Sequence, residues 1–154
     1  MPPKNDWSLR SAKLFIAHFN SAVCDQRAKL RGKTVWKLSP SLEFERVWIQ
    51  GVVVQLLPGN EFLIDDGTGV CTVDVRQFQK KVQNFVVKLG MYLFVIGPLH
   101  LNSERQYSFS VKAHKIQDLS NDPDRESMWY LEVLDLHTSV YQCDSHLVRL
   151  ETSS

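Results

Sequence analysis

Five segments of strand-like sequence, a helically spaced segment between the third and fourth, and a glycine inside the first predict a mainly β fold. That order is the connectivity of an OB-fold, a small five-stranded Greek-key barrel. Helices are expected ahead of the barrel, between its third and fourth strands, and after the fifth. The first strand must bend to serve both halves of the barrel, and Gly51 at its middle fits a bend or bulge. An SH3-like barrel or a split α+β sandwich would give a similar string of elements.

Residues 8–19, SLRSAKLFIAHF, put Leu9, Ile16 and Phe19 on one helical face with Ser8 as N-cap, which predicts an N-terminal helix. The polar, basic stretch 24–35 contains a glycine and reads as a loop. VWIQGVVVQLL at 47–57 is β-branched and aromatic, hence a strand, and Pro58-Gly59-Asn60 is a turn by composition. Strands 61–66 and 70–76 flank Asp66-Gly67-Thr68-Gly69, a hairpin signal. In QFQKKVQNFVVKL at 77–89 the period changes: Phe78, Val82, Phe85 and Leu89 follow helical spacing, and Gly90 stands where a helix C-cap glycine belongs. Segments 91–101 and 107–119 predict a long hairpin around NSERQ, with His100 opposite Ser108 and His114 opposite Phe94. Asp122 before Pro123 marks a helix start, and that helix is expected to reach Tyr141. The organisation is then an N-terminal helix and basic loop over 1–40, the OB-fold with its C-terminal helix over 41–142, and a flexible tail over 143–154.

A chain of 154 residues suffices for one domain with a substantial core. No apolar run is long enough to cross a bilayer, and MPPKNDWSLR lacks the apolar stretch of a signal peptide. Cys24, Cys71 and Cys143 are far apart and odd in number, which fits a reducing compartment better than a disulfide framework or a zinc site. The net charge of +1 hides an uneven distribution: residues 1–37 carry +6, residues 38–119 are neutral, and residues 120–154 carry −5. A dedicated nucleic-acid binder shows a basic surplus on its binding domain, and the barrel region shows none.

Nothing in the sequence argues for an enzyme. Asp65 and Asp66 are adjacent on a strand, so their carboxylates point to opposite faces and would not converge on a metal or substrate. The five histidines lack metal-ligand spacing, and no phosphate-cradling loop is present, so no cofactor and no small-molecule substrate is expected. For nucleic acid, Phe62, Phe78, Tyr107 and Phe109 supply aromatics, and Lys80, Lys81 and Arg105 supply cations. Asp65, Asp66 and Asp74 on the same hairpin oppose phosphate.

The C-terminal helix has the more unusual composition. Trp129, Val133, Leu136 and Val140 form a coiled-coil-like seam, and Tyr130, Leu134, His137 and Tyr141 form a second stripe beside it. Glu132, Asp135 and Ser139 mark the opposite face. Two stripes make an apolar sector wider than one small barrel is expected to cover, and an uncovered apolar patch marks an interface.

DDGTGVCTVDVRQF at 65–78 and HKIQDL at 114–119 resemble the middle subunit of replication protein A. WKLS at 36–39, VWIQGVVV at 47–54 and KIQDLSNDPDRESMWYLEVLDLH at 115–137 are similar to the RecQ-mediated genome instability protein 2 family, and this likeness covers most of the chain. The resemblance implies a non-catalytic OB subunit that pairs with the C-terminal OB-fold of RecQ-mediated genome instability protein 1. Through that partner it would join topoisomerase III alpha and a Bloom-type RecQ helicase in a nuclear complex. The complex would dissolve double Holliday junctions without crossing over and limit sister-chromatid exchange. The resemblance makes Trp129, Val133, Leu136 and Val140 partner-facing, with Trp48, Lys115 and Asp135 at or beside the shared surface. It also implies little DNA binding by the subunit alone, although Phe78 matches an aromatic that stacks on bases in replication protein A. The alternative is a single-strand-binding subunit of the replication protein A or telomere-capping type.

Overall fold

Ser11–Lys13 form not a helix but a short strand, β1, paired in parallel with the start of the first barrel strand. The computed structural model describes residues 11–39 and 42–140, the last two by backbone alone. After β1 come a 3-10 turn (Ile16–Ser21), β2 (Val23–Cys24), α1 (Gln26–Leu30), β3 (Trp36–Ser39) and β4 (Leu42–Phe44). The barrel strands follow: β5 (Arg46–Leu57), β6 (Glu61–Asp65) and β7 (Val70–Asp74), then α2 (Arg76–Lys81). β8 (Tyr92–Leu101), β9 (Phe109–Lys112), β10 (Lys115–Asp118) and α3 (Arg125–Asp135) complete the order, with a π-helical turn at Leu136–Val140.

The ring closes as the sequence predicts. The second half of β5 pairs with β6 and its first half with β8, while β7 runs parallel to β9, which pairs in turn with β8. β10 continues the fifth strand along β8 beyond a break at Ala113 and His114. This is a five-stranded OB barrel. Val47, Ile49, Ile64, Val73, Leu93, Val95, Leu99 and Val111 are fully buried in it. Each such side chain contributes about 1.5–3 kcal/mol relative to exposure. Two glycines are fixed by backbone approach rather than by a turn. A Cβ on Gly51 would stand 2.7 Å from the Asp65 carbonyl oxygen, and one on Gly97 only 1.9 Å from that of Lys112. The β5 bulge itself falls between Val53 and Gln55, beyond Gly51.

The N-terminal region departs from expectation. Ala12 and Leu14 are buried with half-exposed Lys13 between them, a period of two that a sheet edge satisfies and a helix does not. The predicted cap Ser8 and Leu9 lie outside the described residues. The basic loop contains α1, because the Asp25 side chain accepts from the backbone N–H groups of Arg27 and Ala28. β2, β3 and β4 form a separate antiparallel sheet that shares the barrel's core through Trp36, Leu42 and Phe44. The Trp36 Nε1 donates to the Leu99 carbonyl at 3.1 Å.

The helix after β7 is six residues long, where thirteen-residue periodicity predicts more. Phe78 and Phe85 pack edge to face at 5.3 Å and reach the core, but Val82, Val86 and Leu89 are exposed, so no continuous stripe is buried. Gly90 therefore caps no helix; its N–H donates to the Val53 carbonyl, with φ at 85°. The long hairpin also differs in register: His100 lies opposite Ser110, and the His114 N–H donates to the Ile96 carbonyl. The last helix starts at Arg125, two residues later than Asp122-Pro123 predicts, with Asp124 at the N-cap; Asp122 instead accepts the Asp124 N–H through its side chain and the Arg125 N–H through its carbonyl. Tyr141 and the tail at 143–154 lie outside the described residues.

Candidate partner-binding face

Helix α3 is fastened to the barrel by one side. Trp129 and Val133 are buried against Phe15, with Trp48, Tyr130 and Leu134 packed around them. The rings of Trp48 and Trp129 stack at 6.4 Å, and the edge of Trp48 meets Phe94 at 4.9 Å. Lys13 Nζ lies 4.4 Å from the Trp48 centroid and 2.6 Å from Glu132 Oε2, tying β1 to the helix through a ring and a carboxylate. Lys115, exposed on β10, has its Nζ 5.8 Å from the Phe94 ring. Among the described residues, the buried indole N–H groups of Trp48 and Trp129 find no hydrogen-bond acceptor.

This arrangement corrects the expected partner-facing seam. Trp129 is 4% exposed and Val133 0%, so the first half of the seam is spent on the chain's own barrel. Leu136 is half-buried, and Val140 lies outside the residues whose side chains are described. The second stripe packs inward too, through Tyr130, Leu134 and His137. The barrel covers the first part of both stripes because β1 and the 3-10 turn add a second wall built on Phe15. The outward apolar residues are Met128 at 60% exposure and Leu131 at 65%, beside exposed Glu132 and Asp135. Residues 128, 131 and 135 are themselves spaced by three and four, one register away from the seam read in the sequence.

The end of the helix is held by a second ring contact. Phe15 stacks on His18, and His18 stacks on His137 with planes 2° apart. His18 Nδ1 accepts the Phe15 N–H at 3.0 Å, which leaves the proton on its Nε2. His137 Nε2 lies 3.2 Å from the Lys13 carbonyl oxygen and carries the proton there. Burial, then the neighbouring His137, lowers the His18 pKa to about 3; burial also lowers that of His137.

The acidic pair is structural. Asp66 Oδ2 accepts the Ile16 N–H, and its Oδ1 accepts from the N–H groups of Thr68 and Gly69 and from the Thr68 hydroxyl. Asp65 Oδ1 accepts the Gly67 N–H. Burial raises the Asp66 pKa against these hydrogen bonds. Sequence reading identified the turn but not its clamp on Ile16, fifty residues away.

Of the candidate stacking rings, Phe62 and Phe78 are withdrawn into the core, whereas Tyr107 and Phe109 are half-buried and line one cleft, Phe109 packing on Phe19 and Trp36. Phe78 is 8% exposed and engaged with Phe85, and Phe62 is 1% exposed. Arg105 makes two hydrogen bonds to the Glu61 carboxylate, at 2.8 and 3.2 Å. Lys81 is exposed, and Lys80 lines an open cleft of about 500 Å³ with Asn60, Arg76, Gln77, Gln79, Lys112 and Asp74. Within the cleft Asp74 binds Arg76, whose guanidinium holds that carboxyl below its usual range. Among the described residues no three His, Cys, Asp or Glu side chains cluster as a metal site.

A sequence model of the RecQ-mediated genome instability protein 2 family matches residues 10–137. The chain belongs to this family. It is 33% identical over 119 residues to the Bos taurus RecQ-mediated genome instability protein 2, covering 73% of each chain. The Mus musculus protein is 33% identical over 116 residues, covering 71% of this chain and 74% of its own. The resemblance read from residues 36–39, 47–54 and 115–137 thus holds. Solved structures agree on the fold. A chain of the S. pombe Stn1-Ten1 complex superposes with a TM-score of 0.63 at 16% identity, over 84% of this chain and 92% of that one. A chain of a replication protein A heterotrimer bound to single-stranded DNA gives 0.58 at 16% identity, over 84% and 97%. At such identities these likenesses speak for the OB-fold alone. The family's name places the chain among genome-stability OB-fold proteins.

Proposed function

We propose that this chain is a non-catalytic OB-fold subunit that pairs with a second OB-fold protein, the C-terminal OB-fold of RecQ-mediated genome instability protein 1. The pair would stabilise a nuclear assembly of topoisomerase III alpha and a Bloom-type RecQ helicase. That assembly processes recombination intermediates, dissolving double Holliday junctions without crossing over. The observation that carries the reading is the two-sided use of α3, which is anchored inward by Trp129 and Val133 and shows Met128 and Leu131 to solvent. Family membership supports an assembly of the RecQ-associated kind. Trp48 and Lys115 belong to the reading as supports beside the helix, and Asp135 as an exposed residue of its outer face.

Co-expression with the partner OB-fold tests this. Met128→Glu with Leu131→Glu should abolish co-purification while leaving the lone chain folded, because a charge forced into an apolar contact goes unpaired. Co-purification at wild-type yield would refute the assignment. The single-strand-binding alternative has less support: Phe78 is buried and Arg105 is held by Glu61.

A further inference from the structure

Between the start of α3 and the barrel lies a cavity of about 200 Å³ walled by three aromatic rings, those of Tyr92, Trp129 and Tyr130. Glu126, Trp129 and Tyr130 are spaced by three and four, so they share the inward face of α3, away from Met128 and Leu131. Each ring is held by a neighbour. Trp129 stacks on Trp48, Tyr130 packs on Phe15 at 5.1 Å, and the Tyr92 hydroxyl donates to Gln50 Oε1 at 3.1 Å. Glu126 and Asp66 also line the cavity, and none of the described lining residues is a lysine or arginine. Burial, then the carboxylates of Glu126 and Asp66, raise the Tyr92 pKa well above its ordinary value; Arg125 opposes them but is bound to Asp122.

Aromatic rings beside carboxylates that no cation balances attract a positive group, most strongly where water is excluded. The chemistry favours one kind of cation. An unmodified ammonium carries three N–H donors that need acceptors once water is lost. The acceptors inside are engaged, Gln50 by Tyr92 and Asp66 by four hydrogen bonds, while Glu126 is exposed. A trimethylammonium keeps the charge and has no N–H to satisfy, so the rings suffice. We propose that the cavity is an aromatic cage for a trimethylated lysine side chain of a protein ligand. Its volume lies below the roughly 300–1,000 Å³ of small-molecule sites and fits a headgroup on a slender stem. A chain of a genome-stability family works on chromatin, whose proteins carry this modification. The site is separate from the outer face of α3 and does not depend on pairing through it.

The test is titration of the full chain, followed by calorimetry and tryptophan fluorescence, with four probes. They are N-acetyl-trimethyllysine amide, its unmethylated counterpart, the neutral analogue with a tert-butyl group in place of the trimethylammonium, and phosphocholine. The trimethylated probe should bind about tenfold more tightly than the unmethylated and neutral ones. It should also outbind phosphocholine, whose phosphate meets Glu126 and Asp66. Tyr92→Phe keeps the ring and should retain this preference, whereas Tyr92→Leu and Glu126→Lys should lose it. Glu126 is exposed, so Glu126→Lys carries the test should Tyr92→Leu fail to fold by circular dichroism. Leu131→Glu should bind the probe as wild type even as it loses the partner OB-fold, which keeps this proposal distinguishable from the proposed interface. Equal affinity for the charged and neutral probes makes the cavity a mere apolar hole and overturns the proposal. Tighter binding of phosphocholine assigns it to a lipid headgroup and overturns it too, as does no binding of the trimethylated probe.

Discussion

The imidazoles of His18 and His137 lie face to face, with centroids 4.1 Å apart and planes within 2° of parallel. This contact joins the 3-10 turn to the end of the C-terminal helix, across more than a hundred residues of chain. Both rings are buried. Two stacked cations would repel, so the contact requires at least one neutral ring, and burial favours the neutral form of both.

A pH dependence follows. The folded-state pKa of each histidine is lowered below 6.5, to about 3 for His18, so the unfolded chain binds the extra protons. The stability they contribute is complete above the unfolded value and is lost as pH falls below 6.5. At pH 5 a fully depressed histidine costs about 2 kcal/mol. Urea midpoints should fall between pH 7 and pH 5, and His137→Phe, which keeps a stacking ring, should flatten that slope.

The two sides of α3 should respond in opposite ways. Trp129→Ala empties a buried site and should cost about 3–5 kcal/mol of stability in the lone chain. Leu131→Glu alters an exposed site and should change stability by less than about 0.5 kcal/mol while removing the partner. Denaturation and co-purification measured on the same samples separate the two effects.

Asp66→Ala strips the acceptor from the Ile16 N–H and from the hairpin turn together. Each buried donor left unpaired costs roughly 1–3 kcal/mol. Amide hydrogen exchange should accelerate at Ile16 and Gly69 in the same variant, although they belong to distant segments.

Gly97→Ala should fail to give soluble protein, or lose more than about 4 kcal/mol, because the new methyl would overlap the Lys112 carbonyl oxygen. Gly51→Ala should be damaging but milder. Soluble yield and guanidinium midpoints would rank them.

Phe78→Ala should destabilise the barrel by about 3–5 kcal/mol, since the ring is core. Phe78→Leu, which keeps most of the volume, should leave any weak, salt-sensitive oligonucleotide affinity unchanged in fluorescence anisotropy. A selective loss of affinity in Phe78→Leu would restore the stacking role.

The sequence by itself determined the barrel, the interruption between its third and fourth strands, the final helix and the family. Those are set by local period, by turn residues such as Asp66-Gly67, and by a long unusual segment at 115–137, all written within a few residues of one another. Only the tertiary structure decided which face of α3 is outward. An amphipathic pattern records how many positions are apolar, not how much surface stands opposite them. Here Phe15 on the N-terminal segment widens the shelf until Trp129 and Val133 are covered, and the free surface passes to Met128 and Leu131. Non-local pairing likewise replaced the first part of the helix expected over 8–19 with the strand Ser11–Lys13, because hydrogen bonds to β5 outweigh a weak helical stripe.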